Sequence, residues 1–142
     1  MIRRVFFDAD VLIAGSASTT GASFFLLQLA EFNFLEGITC RQVVEECNRN
    51  LTRKIPQALP IFKQILAASL TIVDDPAAAT MNTYAHMAHA KDLPILTAAI
   101  EQKADVLVTF NVRHYHPVQK LGLLITTPGD LLALLRHQLA EL

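Results

Sequence analysis

Short apolar runs rich in Val, Ile, Phe and Thr recur along this chain without alternating with polar residues. Such runs are buried on both faces, the pattern of strands in a parallel sheet covered by helices. They predict strands at about 3–8, 37–40, 70–73, 105–109 and 123–126. Between them the apolar positions follow helical spacing. Gly21 to Leu35 carries Phe24, Phe25, Leu27, Leu29 and Phe32, and Gln57 to Ala68 sets Leu59, Ile61, Phe62, Ile65 and Leu66 on a wide stripe. A turn at Asp74-Asp75-Pro76 leads into an alanine-rich helix expected to run to about Ala90, and Asp92 opens another. The final helix starts at Thr127-Pro128-Gly129-Asp130, with Thr127 as N-cap, Pro128 as its first residue and Asp130 as its third.

This alternation predicts an α/β fold, a three-layer α/β/α sandwich with a central, mostly parallel sheet. The 142 residues suit one domain over 1–142 with a sizeable core and leave no room for a second. Hydrophobic residues make up 52% of the chain against 18% charged, so part of the apolar surface is expected to cover a partner. The apolar stretch before Asp8 is too short for a secretory core, and no run approaches the ~18 residues that span a bilayer. A cytoplasmic protein without a membrane segment is expected. Its net charge of −1 means that any nucleic acid must be held by a local basic patch. Cys40 and Cys47 are expected on one helix, about two turns and ~10 Å apart, which excludes a mutual disulfide and makes them buried small hydrophobes.

In a right-handed α/β sheet, ligands sit beyond the carboxyl ends of the strands. Asp8 follows Val5-Phe6-Phe7 and Asn111 closes Val106-Leu107-Val108-Thr109-Phe110, so both are carried to that edge. Asp92 can cap its helix while pointing towards the same edge, and Glu46 lies mid-helix within Val43-Val44-Glu45-Glu46-Cys47. Taken singly, each has an ordinary explanation as a strand end, an N-cap or a solvated helix position. Together they make an oxygen donor set for a hard divalent cation, Mg²⁺ or Mn²⁺. That chemistry points to metal-dependent hydrolysis of phosphodiesters.

The same residues carry a family resemblance. Phe6-Phe7-Asp8-Ala9-Asp10-Val11-Leu12-Ile13-Ala14 resembles the opening of PIN domains, and Cys40 to Leu51 is similar to their helix with the second acid, Glu46 in the matching place. Lys91-Asp92-Leu93-Pro94-Ile95-Leu96-Thr97-Ala98-Ala99-Ile100 and Ala104 to Asn111 resemble the third acid and the strand leading to the fourth polar position. Thr126-Thr127-Pro128-Gly129-Asp130-Leu131-Leu132 looks like the closing strand-to-helix step. The resemblance is nearest to the VapC-like toxin branch of prokaryotic toxin–antitoxin pairs. It implies a PIN-like fold and an Mg²⁺-dependent (or Mn²⁺-dependent) endoribonuclease, with Asp8, Glu46 and Asp92 catalytic and the same three with Asn111 on the metal. It also implies an RNA substrate, a cognate antitoxin and a homodimer. Arg41, Arg49, Arg113 and His114, with Arg53 and Lys54, can supply the patch for flanking phosphates. Two positions depart from the family pattern: Asp10 stands where Asn is common, and Asn111 where many members have Asp. Asp10 is thus an auxiliary acid able to restore the missing charge.

Two other readings are open. A non-catalytic PIN-like binding module would use the fold without the chemistry. In a haloacid-dehalogenase-type phosphatase, Asp8 and Asp10 would be the nucleophile and general acid of an Asp-x-Asp signature, but the only late Gly-Asp pair, Gly129-Asp130, opens a helix with no second acid following it. His86 and His89, three apart on one expected helical face, lack a third ligand, so zinc is not expected. His114 and His116 fall on a loop after Asn111 and read as surface positions within reach of RNA.

Overall fold

The computed structural model describes residues 1–115 and 121–141; His116 lies outside them. Its five strands are β1 (Arg4–Phe7), β2 (Glu36–Cys40), β3 (Leu70–Val73), β4 (Val106–Val108) and β5 (Leu124–Thr126). They form one sheet in the order β3-β2-β1-β4-β5, and each neighbouring pair runs parallel. Every strand overlaps a predicted apolar run; Val5, Phe6, Phe7, Val106, Leu107 and Val108 in the central β1 and β4 are wholly buried, while β3 and β5 at the edges are partly exposed.

Seven α-helices flank the sheet among the described residues: α1 (Ala9–Ala17), α2 (Ala22–Glu31), α3 (Arg41–Lys54), α4 (Leu59–Ser69), α5 (Ala78–Asn82), α6 (Leu93–Glu101) and α7 (Pro128–Ala140). Helices α1, α2 and α4 pack on one another, and α7 joins them on α2. The chain builds outwards from β1 to β3 and then returns to β4 on the other side of β1. Helix α6 packs on β2 and β4 and against α5, within an α/β/α fold. Among the described residues, no single helix is long and apolar enough to cross a membrane.

Close approaches explain the small residues. A Cβ on Gly15 would come within 2.6 Å of Leu27 Cδ1, so its absence lets α1 meet α2. On Gly37 it would lie 2.5 Å from the Ser69 carbonyl oxygen, where β2 passes the start of β3. Thr127 caps α7 as expected, its hydroxyl accepting from the Asp130 N–H at 3.2 Å with Pro128 next in line.

Three sequence expectations are corrected. The helix expected to reach Ala90 ends at Asn82, since Thr83 to Met87 turn by bonds such as Met87 N–H to Tyr84 O and let Ala88 bridge antiparallel to Tyr115. Asn, Thr and Tyr are indifferent helix formers, so the tertiary bridge prevails. His86 and His89 therefore do not share a helical face. Cys40 ends β2 instead of lying on the helix of Cys47, although both remain buried and free. Burial pushes the Cys40 thiol up to about 12, which keeps it inert.

The two glycine environments give opposite expectations in urea unfolding. Gly37→Ala must push into main chain and should lower stability by about 1–3 kcal/mol. Gly129→Ala, in the first turn of α7 with open space around it, should raise stability by about 0.5–1 kcal/mol.

Candidate metal centre

The sheet reverses its winding between β1 and β4, and in such a sheet a ligand sits beyond the carboxyl ends of the strands at that point. Asp8 leaves β1 there with its N–H on the Val108 carbonyl at 3.1 Å, so its position is set by sheet pairing. Its Oδ1 accepts from the Ala9 N–H at 2.7 Å as the cap of α1. Its Oδ2 accepts from the Thr109 hydroxyl at 2.9 Å and the Tyr115 hydroxyl at 3.1 Å. Thr109 also follows β4, so the strand adjacent to Asp8 supplies one of its donors. Asp8 is 6% exposed, and burial pushes its carboxyl above the usual range, with the nearby Asp92 adding to the rise and the three hydrogen bonds opposing it.

Three further carboxylates share this edge. Asp10, one residue into α1, accepts through Oδ2 from the Phe110 N–H at 3.0 Å and the Asn111 Nδ2 at 2.9 Å. Its Oδ1 is buried without a hydrogen-bond partner among the described residues. Burial and the charge of Asp8 raise Asp10 from 3.8 to about 6. Glu46, half-buried on α3, is pushed up by burial and then by Asp8 and Asp92, while Lys91 and Arg49 pull it down. Asp92 sits at the N-cap of α6 but makes no cap hydrogen bond with its side chain; its Oδ2 meets His114 Nδ1 at 3.0 Å instead. The double duty expected of Asp92, capping and facing the edge, reduces to the second.

The structure thus brings Asp8, Asp10, Glu46 and Asp92 into one electrostatic neighbourhood, each raising or raised by another. Asn111 reaches it by donating its amide to Asp10. The basic candidates divide. Arg41 is engaged in an exposed ion pair with Asp74 at 2.7 Å, whereas Arg49 acts on Glu46, and exposed Arg113 stands beside His114 on the loop after β4. Arg53 lines a surface groove with Arg49 on α3.

Sequence reasoning missed the groups that hold the acids. Thr109 was read only as part of a strand, and Tyr115 was not singled out. Lys91 carried no role, and His89 was grouped with His86 instead of the His114 ring on which it stacks, with centroids 4.5 Å apart. Only the position of Thr109 directly after an apolar run was a usable signal; the rest depends on the fold of 83–92 against 111–115.

The PIN domain family model matches residues 4–113, well over half of the chain. Among solved structures, the chain is similar to a chain of the crystal structure of VapBC2 from Rickettsia felis bound to a DNA fragment from their promoter, with a TM-score of 0.60 and 17% identity over 86% of this chain and 96% of that one. At that identity the likeness speaks for the fold. No match is found among curated proteins.

The acid cluster has a pH signature. A carboxylate raised by folding keeps a proton that the unfolded chain has already released, so the stability linked to Asp10 is fully present below 3.8 and is lost as pH rises through about 6. In chelator the urea midpoint should therefore fall between about pH 4 and pH 7, and Mn²⁺ should restore it at the upper end. A midpoint that rises over this range would contradict the clustering. Asn111→Asp replaces a donor with a like charge beside Asp10, so the Asp10 titration, followed by carboxyl-carbon NMR, should move further up.

Proposed function

The chain belongs to the PIN-domain family, whose members are nucleases, and from that premise we propose that it is a metal-dependent endoribonuclease serving as the toxin of a toxin–antitoxin pair. The reading is supported by four carboxylates near enough to influence one another's ionisation, one of them with a buried oxygen that has no partner among the described residues. Like charges in a partly dry crevice need protons or a cation, and an oxygen-only donor set suits Mg²⁺ or Mn²⁺. Asp8, Glu46 and Asp92 would hold the ion, with Asp10 and its partner Asn111 beside them. A divalent ion held there lowers the pKa of a bound water and neutralises charge on a phosphate.

The protein's own groups have distinct tasks. Thr109, Tyr115 and the Ala9 N–H fix the Asp8 carboxylate, and burial first, then Asp8 and the other acids, push the Tyr115 phenol up, so it stays protonated and donates. His114 orients Asp92. Phosphates flanking the scissile bond would meet Arg49, Lys91 and Arg113 around the acids, not Arg41, which Asp74 occupies. Exposed Phe32 and Phe34 at the turn between α2 and β2 offer apolar surface to an antitoxin or a second copy of the chain. The toxin assignment is supported by the fold shared with a chain of a VapBC2 structure.

Single-stranded RNA should be cleaved in Mg²⁺ or Mn²⁺ and spared in excess chelator. Asp8→Asn should lower kcat/KM by at least roughly 10²-fold, the scale of losing one preorganised electrostatic group. Undiminished cleavage in chelator would refute the metal-dependent reading. Metal binding with no cleavage of any RNA offered would favour the non-catalytic module.

A further inference from the structure

We propose that His89, Asp92 and His114 form a cation site selective for a borderline transition metal, of the Zn²⁺ and Co²⁺ class, over Mg²⁺, on the flank of the acidic centre. It deepens the reading above, with which it shares Asp92, by stating which ion that flank takes.

One ligand atom from each of the three lies within 4.8 Å of the others. His114 Nδ1 is 3.0 Å from Asp92 Oδ2, and the His89 ring stacks on that of His114 with 16° between the planes. Atoms sharing one ion through bonds of about 2.0–2.2 Å stand roughly 3–3.5 Å apart, so binding would draw the three in by turning the two rings out of their stack. The main chain is already fixed. His89 N–H donates to the His114 carbonyl at 3.0 Å, Asp92 N–H donates to the His89 carbonyl at 2.9 Å, and Ala88 bridges Tyr115. Two segments distant in sequence are thereby locked together at the point where the three side chains meet.

The helix start agrees with that orientation. Asp92 stands at the N-cap of α6, where an aspartate ordinarily accepts from a helix N–H, and its side chain makes no such bond. With its side chain only 13% exposed, the carboxylate faces the imidazole instead.

Donor chemistry selects the ion. Imidazole nitrogen suits Zn²⁺ and its first-row neighbours, whereas Mg²⁺ demands oxygen ligands in near-octahedral array. Two imidazoles and a carboxylate leave a coordination position for water. Neutral imidazoles also add ligands without adding a negative charge beside Asp8 and Glu46. Exposed His86 lies outside the group and serves as a control.

The test is Co²⁺ titration of the full chain, followed by visible absorption, with calorimetric competition by Zn²⁺ and Mg²⁺. The wild type should prefer Co²⁺ and Zn²⁺ to Mg²⁺ by at least about 10-fold, and His89→Ala and His114→Ala should each weaken Co²⁺ binding by about 10–100-fold. His86→Ala should retain Co²⁺ affinity within about 3-fold, the spread of a surface substitution outside the group. Equal affinity for Co²⁺ and Mg²⁺ in the wild type, or Co²⁺ binding unchanged in the His89 and His114 variants, would overturn the proposal, as would an equal loss in His86→Ala. His89 is exposed, so its variant should fold and decide the matter even if His114→Ala does not. RNA cleavage is not the readout: absent cleavage with intact Co²⁺ selectivity would sink the nuclease reading alone, and metal-dependent cleavage without that selectivity would sink this one alone.

Discussion

Burying the carboxylate of Asp8 at the mouth of a parallel sheet constrains everything around it. A charge with almost no solvent is tolerated only when hydrogen bonds or a counter-charge replace the lost water. Three donors do part of this work, and each comes from a different place: Ala9 from the start of α1, Thr109 from the end of β4 and Tyr115 from the loop that bridges Ala88. Removing any of them would leave Asp8 less well compensated. The other acids work the opposite way, because Asp10, Glu46 and Asp92 enlarge the charge the crevice must hold. The fold spends stability to keep these groups together, and a bound cation is the natural means of recovering it.

The architecture was largely legible in the sequence. The short apolar runs pointed to a covered parallel sheet, most fully met by the central β1 and β4, and capping at Thr127-Pro128 located the last helix to the residue. The three-layer fold follows from that alternation. Local pattern failed where tertiary contacts overrode it. Residues 83–90 read as helix because alanine and spacing favour one, yet the bridge to Tyr115 holds them in turns. Helix α1 also escaped notice, because a segment buried on nearly every side carries little amphipathic signal.

The acids were legible as candidates, but their supporting groups were not. Asp8, Glu46 and Asp92 could be picked out by type and position relative to the expected elements. Whether Asn111 faces an ion or a neighbour depends on side-chain geometry, which shows its amide on Asp10. Likewise, Arg41 resembled any other basic residue near the site until Asp74 was found beside it. The His89–His114 stack joins residues 25 positions apart in the chain, a separation at which no periodicity can act.

On the reading proposed above, the carboxylates at the β1–β4 switch point hold a divalent cation. Anomalous diffraction from crystals grown in Mn²⁺ tests it most directly, since the ion reports its own position. A peak is expected within coordination distance of the Asp8, Glu46 and Asp92 side chains, reached also by the Oδ1 of Asp10 or by a water bound to it. Crystals saturated with Mn²⁺ that show no peak in this crevice, with Asp8 still hydrogen-bonded to Thr109 and Tyr115, would contradict it.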